Sequence, residues 1–199
     1  FPYTTLFRSV YNMPAYIRDG DAFGWSIFAD GAGAVLLARD EDGQDRSGYI
    51  EGAFRADGTQ WDYVGVYAGG TRKPVTRELL DAGTYGLENL QRLPGDRNVK
   101  LWPPIIRALC DKGGIPVEQV ARFVMTQINR SVIMEVMDIL GRPRELAPLA
   151  MDRYGYTGSA CVPMAFHHAV KDGLVRRGDP VVFCASGAGF AVGANLFIY

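Results

Sequence analysis

The sequence predicts a mixed α/β fold, a sheet flanked by helices in layers, and three features carry that prediction. From Asp96 onward, stretches with helical spacing alternate with short apolar runs. The C-terminal segment holds two strongly apolar runs, 181–185 and 190–199, around a glycine-rich turn at 186–189, as expected of a central strand pair. No short repeat or low-complexity stretch points to a solenoid or a tail.

Taken in order, residues 1–9 read FPYTTLFRS, with no initiator Met and no leader pattern. They look like the translation of a sequencing adapter, which implies a gene cut upstream, and they are set aside from the fold expectation; a genuine N-terminal strand is the alternative. Residues 25–40 hold two apolar runs joined at Asp30-Gly31-Ala32-Gly33, and the run 34–38 is expected to be a strand covered on both faces. A polar loop at 41–47 leads to a partly alternating strand at 48–55 and a turn at Ala56-Asp57-Gly58. Residues 59–95 read as a surface or substrate-entrance loop with short helical pieces.

The pattern then sharpens. Residues 105–112 read as a helix whose beginning is restricted by Pro103-Pro104 and whose end is Gly113-Gly114. A short turn of helix follows at 117–120 and a buried strand at 123–125. Asn129 is placed to cap a helix that ends at Gly141, with Val132, Ile133, Val136, Ile139 and Leu140 on one face. Another helix is expected over about 158–171, with Pro163 tolerable only in its first turn.

Composition narrows the function classes. The 199 residues are 48% hydrophobic, enough for a substantial core. A formal net charge of -1 argues against a nucleic-acid partner, which demands a basic excess. No apolar run is long enough for a membrane span. Cys110, Cys161 and Cys184 are odd in number and lie in apolar context, so reduced core thiols in a cytoplasmic protein are expected, with no metal site.

Four segments carry the chemistry: ADGAGAVLL at 29–37, TQIN at 126–129, YGYTGSACVPMA at 154–165 and ASGAGFAVGA at 185–194. Each is weak alone. In this order and spacing they resemble the C-terminal half of the beta-ketoacyl-ACP synthase III family, in the thiolase-like superfamily, over about residues 24–199. The resemblance implies a thiolase-like layered fold. It divides the chain into residues 1–9, an adapter-derived artefact; 10–95, the end of an N-terminal half with connecting loops; and 96–199, the synthase C-terminal domain.

It also implies an acyltransferase acting on acyl-CoA or acyl-carrier-protein thioesters in fatty-acid or polyketide-like biosynthesis, with the thioester as substrate and no resident cofactor. The nucleophilic Cys would lie upstream, so this fragment alone is expected to be inactive, and the full-length protein to be a homodimer or heterodimer. In the family a His and an Asn hold the thioester carbonyl and stabilise the enolate formed as carbon dioxide leaves. Here the HQxN motif reads Thr126-Gln127-Ile128-Asn129, and GNTS reads Gly155-Tyr156-Thr157-Gly158. Thr126 thus stands at the His position and Tyr156 at the Asn position. Both carry hydroxyls that can donate to an oxygen, and neither titrates near neutrality. The family's GGG hairpin reads Gly187-Ala188-Gly189, which keeps a backbone N–H for the oxyanion.

Each residue also has a plainer reading. Thr126 could close a strand edge, Tyr156 could fill space as a packed ring, and Asn129, counted among the substrate-binding residues, could be only a helix cap. His167 and His168 sit mid-helix and are expected to pack, and Cys161 and Cys184 are expected to be small core residues. A non-catalytic synthase paralogue serving as a structural partner subunit is the alternative to an enzyme. In either case this half alone is expected to expose a large apolar face.

Overall fold

The computed structural model describes residues 5–38 and 47–199; residues 1–4 of the set-aside segment and 41–46 of the expected polar loop lie outside them. The chain runs β1 (Thr5–Tyr11), α1 (Ala22–Ile27), β2 (Gly31–Leu37), β3 (Gly48–Ala56), β4 (Val64–Val66), α2 (Arg77–Asp81) and β5 (Leu87–Asn89). It continues through α3 (Arg97–Gly113), β6 (Arg122–Met125), α4 (Arg130–Leu140), α5 (Met151–Tyr154), α6 (Cys161–Lys171), β7 (Pro180–Gly187) and β8 (Ala191–Ile198).

The main sheet has the order β3-β8-β7-β6, with β6 parallel to β7 and the other pairs antiparallel. The C-terminal hairpin therefore occupies the centre, as its apolar runs predict. Because side chains alternate across a strand, each strand feeds two layers. Phe123, Met125, Val182, Cys184, Ala194 and Leu196 join Ile106, Leu109, Ile133 and Met137 of α3 and α4 in one core. Val124 and Val181 face the other way, into a smaller core with Ala165 and Ala169 of α6.

Three details differ from the sequence expectation. Helix α3 begins at Arg97 and carries Pro103 and Pro104 inside it. The prolines remove the N–H partners of the Val99 and Lys100 carbonyls. Burial of Trp102, Ile106 and Leu109 outweighs those two missing bonds, since tertiary packing supplies most helix stability. In α4 the buried arc is Val132, Ile133, Val136, Met137 and Leu140, while Ile139 turns outward. Asn129 caps this helix and Gly141 ends it in the left-handed region, both as expected.

Strand β2 is the third difference. It is not covered on both faces: it pairs with β1 in a separate two-stranded ribbon, from Thr5↔Leu37 to Tyr11↔Gly31, and Leu36 lies exposed. The set-aside residues 5–9 are thus part of a regular ladder. One face of β2 does lie tightly on α6, where a Cβ at Gly33 would stand 2.6 Å from Pro163. The ribbon also meets the turn before α6. Gly158 has φ +51°, and a side chain there would run into the Tyr11 ring.

Residues 59–95 form short pieces around a β4–β5 pair, close to the loop with short elements expected there.

Candidate active site

Two of the motif segments, 126–129 and the glycine hairpin, meet at the C-terminal end of the parallel pair β6–β7. Thr126 follows β6 directly and continues the ladder, its N–H donating to the Cys184 carbonyl at 3.1 Å. Its side chain is buried, and Oγ1 accepts the N–H of Ser186 at 3.2 Å. A strand-end hydroxyl is thereby fastened to the base of the glycine hairpin. As Oγ1 accepts that bond, its own proton remains available to an oxygen in the site. Ser186 Oγ in turn donates to Asn98 Oδ1 at 3.0 Å, which ties the hairpin to the first turn of α3.

The hairpin tip is held from its other side. Gln60 N–H donates to the Gly189 carbonyl, and Asp57 and Phe190 exchange backbone hydrogen bonds at 2.9 and 2.6 Å. Gly187 and Ala188 are exposed at the tip, and Gly189 adopts φ +125°. The tip is a fixed backbone loop presented outward.

Gln127, next to Thr126, organises the neighbouring segments. Its amide side chain is buried and fully used: Nε2 donates to the carbonyls of Met125 and Pro148, and Oε1 accepts from Ala150 N–H. Its backbone N–H lies 3.2 Å from the Cys161 sulfur at the start of α6. Burial pushes the Cys161 thiol up to about 11, so it is a protonated core residue and not an activated nucleophile. Cys184 is wholly buried and shifted the same way.

Tyr156 is fixed by both its backbone and its ring. Its backbone bridges to Phe28 in both directions, through Ile27 O and Ala29 N–H. Its ring packs at 5.7 Å from Phe28 and 6.0 Å from Tyr11. Burial raises the phenol above its ordinary value, as do Cys161 and Tyr11, while Arg97 pulls it back. The hydroxyl is therefore a neutral donor at any physiological pH. Arg97 is the cation of the cluster; its guanidinium carbon lies 5.8 Å from the Phe190 ring centroid.

The structure thus links Thr126 to the Gly187-Ala188-Gly189 hairpin and seats Tyr156 against Phe28 and Tyr11. Asn129 is not drawn in: its Oδ1 is occupied by Ser131 N–H, Ser131 Oγ and Val132 N–H. His168 stacks on Tyr154, in keeping with a packing role, whereas His167 is exposed and, among the described residues, its ring meets only that of His168. Among the described residues no group of His, Cys, Asp or Glu is arranged to hold a metal, and no helix is long and apolar enough to cross a membrane. Sequence reasoning missed Arg97, Asn98 and Ser186. The prolines placed the helix start too late, which left residues 97 and 98 in an apparent loop.

A layered α/β unit with a glycine hairpin beside a strand-end polar residue defines a thiolase-like fold. Residues 110–199 match the model of the 3-oxoacyl-[acyl-carrier-protein] synthase III C terminal. The chain is 30% identical over 171 residues to the beta-ketoacyl-[acyl-carrier-protein] synthase III of Solibacter usitatus, covering 86% of this chain and 52% of that protein. It is 34% identical over 164 residues to that of a Roseiflexus species, covering 82% and 49%. The crystal structure of 3-oxoacyl-[acyl-carrier-protein] synthase III from Aquifex aeolicus superimposes with a TM-score of 0.79 at 26% identity, over 98% of this chain and 58% of that one. The chain is similar to beta-ketoacyl-ACP synthase III proteins over most of its own length, and it spans about half the length of the curated relatives it matches.

Proposed function

We propose that the protein is an acyltransferase of the beta-ketoacyl-ACP synthase III type, taking acyl-CoA or acyl-carrier-protein thioesters in fatty-acid or polyketide-like biosynthesis in the cytoplasm. A cysteine on an upstream half would accept the acyl group, and the thioester is substrate, with no resident cofactor. The observation that carries this reading is the Thr126–Ser186 hydrogen bond, which seats a hydroxyl against the glycine hairpin. In this reading Thr126 and Tyr156 donate to the thioester carbonyl, and the backbone of Gly187, Ala188 and Gly189 lines the oxyanion side. Asn129 then serves through its cap, by fixing the start of α4.

The full-length protein, incubated with an acyl-CoA, is expected to gain the acyl mass on one cysteine. An unmodified intact mass would count against the enzyme. The second reading is a non-catalytic partner subunit in a heterodimer. It is favoured by the packing of Tyr156 between Tyr11 and Phe28, which suits a space-filling ring. Absence of a cysteine at the upstream nucleophile position would select it.

A further inference from the structure

The ladder between β6 and β7 ends in an irregular rung, and a residue outside every motif segment steadies it. Thr126 N–H donates to the Cys184 carbonyl. In a continued parallel ladder the next bond would run from Ser186 N–H to the Thr126 carbonyl. The Thr126 hydroxyl receives it instead, at 3.2 Å. The rung that holds this hydroxyl is thus the last of the strand pair, and the end of a ladder opens more readily than its middle. Ser186 is held from a second direction. Its side chain lies on the same face of β7 as Val182 and Cys184, which pack with α3, and its Oγ donates to Asn98 Oδ1 at 3.0 Å. Asn98 stands one turn before Trp102 on α3, and the Trp102 ring has no solvent exposure. The acceptor therefore rides on an anchored helix face.

We infer that Asn98 is a positioning residue for Thr126, acting through Ser186. By accepting the Ser186 hydroxyl it keeps the terminal rung closed. The closed rung occupies a lone pair of Thr126 Oγ1 and so fixes the direction in which that hydroxyl presents its proton. With the rung open, the Thr126 side chain is free to change rotamer, and its donor leaves the site for part of the time. Asn98 itself touches no reacting atom. The reaction that Thr126 serves is the one in the thioester reading above, and the inference rests on that reading for its kinetic consequence.

Two measurements on the full-length protein test this. The first is amide hydrogen exchange read by mass spectrometry, which needs no activity. Asn98→Leu keeps a branched side chain without the acceptor, and it should speed exchange of residues 185–190 about threefold to tenfold, the worth of one hydrogen bond. Asn98→Asp keeps Oδ1 and should exchange as the parent does, and α4 should not change in either variant. The second is acyl transfer from an acyl-CoA. Asn98→Leu should lower kcat about threefold to tenfold with KM unchanged, and Asn98→Asp should restore it. Ser186→Ala should cost as much, and the double variant Asn98→Leu, Ser186→Ala no more than either, because both act in one chain of bonds. A parent protein that takes no acyl group sinks the thioester reading and leaves exchange to decide the role of Asn98. Unchanged exchange at 185–190 in Asn98→Leu, an equal rise in α4 or in Asn98→Asp, or losses in kcat that multiply in the double variant overturn the inference and leave the acyltransferase standing.

Discussion

The central sheet and the β1–β2 ribbon are built from comparably apolar strands and end in opposite surroundings. In β6, Phe123, Val124 and Met125 are wholly buried, because helices cover both faces. In the ribbon the backbone ladder is just as regular, yet Phe7, Val10 and Leu36 are 59%, 73% and 64% exposed. Close contact is confined to the β2 face toward α6 and to the Tyr11 ring at the end of β1. Backbone pairing and side-chain burial are therefore separate requirements. The first needs only a neighbouring strand, and the second needs a further layer. Exposed apolar side chains, expected of this half, lie on the ribbon and also at Tyr49, Ile50 and Phe54 of β3.

The sharpest way to break this contrast is to truncate one apolar side chain in each region. Phe123→Ala removes a ring with no solvent exposure from the larger core. Loss of about 3–5 kcal/mol is expected, read from urea unfolding, because the surrounding helices cannot collapse fully into the void. A loss under about 1 kcal/mol would mean that the core is loosely packed and that its burial says little about stability.

A smaller effect separates the regions by pH. Burial pushes the Cys110 and Cys161 thiols from 9.0 up to about 11. Both lie in or beside the sheet region, and the ribbon has no thiol. As pH rises above about 9 the unfolded chain releases these protons while the folded chain keeps them. The stabilisation is complete below about pH 9 and is lost progressively toward about pH 11. Tyr11, pushed up to about 12 from 10.0, adds to the fall only at the upper end. Melting temperature should therefore begin to drop between about pH 9 and about pH 10, and the drop should be shallower in Cys161→Ala. Equal slopes in the two proteins would remove the Cys161 thiol as a cause.

Much of the sheet region was legible in the sequence, and the reasons are local. Asn129 and Gly141 bracket α4 by cap chemistry, and the 181–185 and 190–199 runs read as central strands because they are strongly apolar, with Asn195 the one amide side chain among them. The start of α3 was hidden since two prolines argue against a helix that only tertiary burial sustains. Ile139 and Met137 exchanged places because an apolar residue one position off the arc still satisfies a loose helical period. At the site, Thr126 and the hairpin could be read from motif order. The Ser186–Asn98 tie depends on approach between segments far apart in sequence, which no local pattern encodes.

The smallest expected effect tests the ribbon itself. Leu36 lies on β2, exposed, opposite Leu6 in the ladder. Leu36→Thr introduces a β-branched side chain suited to a strand, so the pairing should survive. Unfolding free energy should change by no more than about 0.5 kcal/mol, since little apolar surface is withdrawn from water in the folded chain. Self-association should respond in the opposite proportion. An uncovered apolar face drives chains together, and each polar substitution on it weakens that drive. Sedimentation of the 199-residue chain should show aggregated or oligomeric species that shift toward monomer in Leu36→Thr. If instead the variant lost stability comparable to Phe123→Ala, Leu36 would belong to the chain's own core, and the contrast between the two regions would fail.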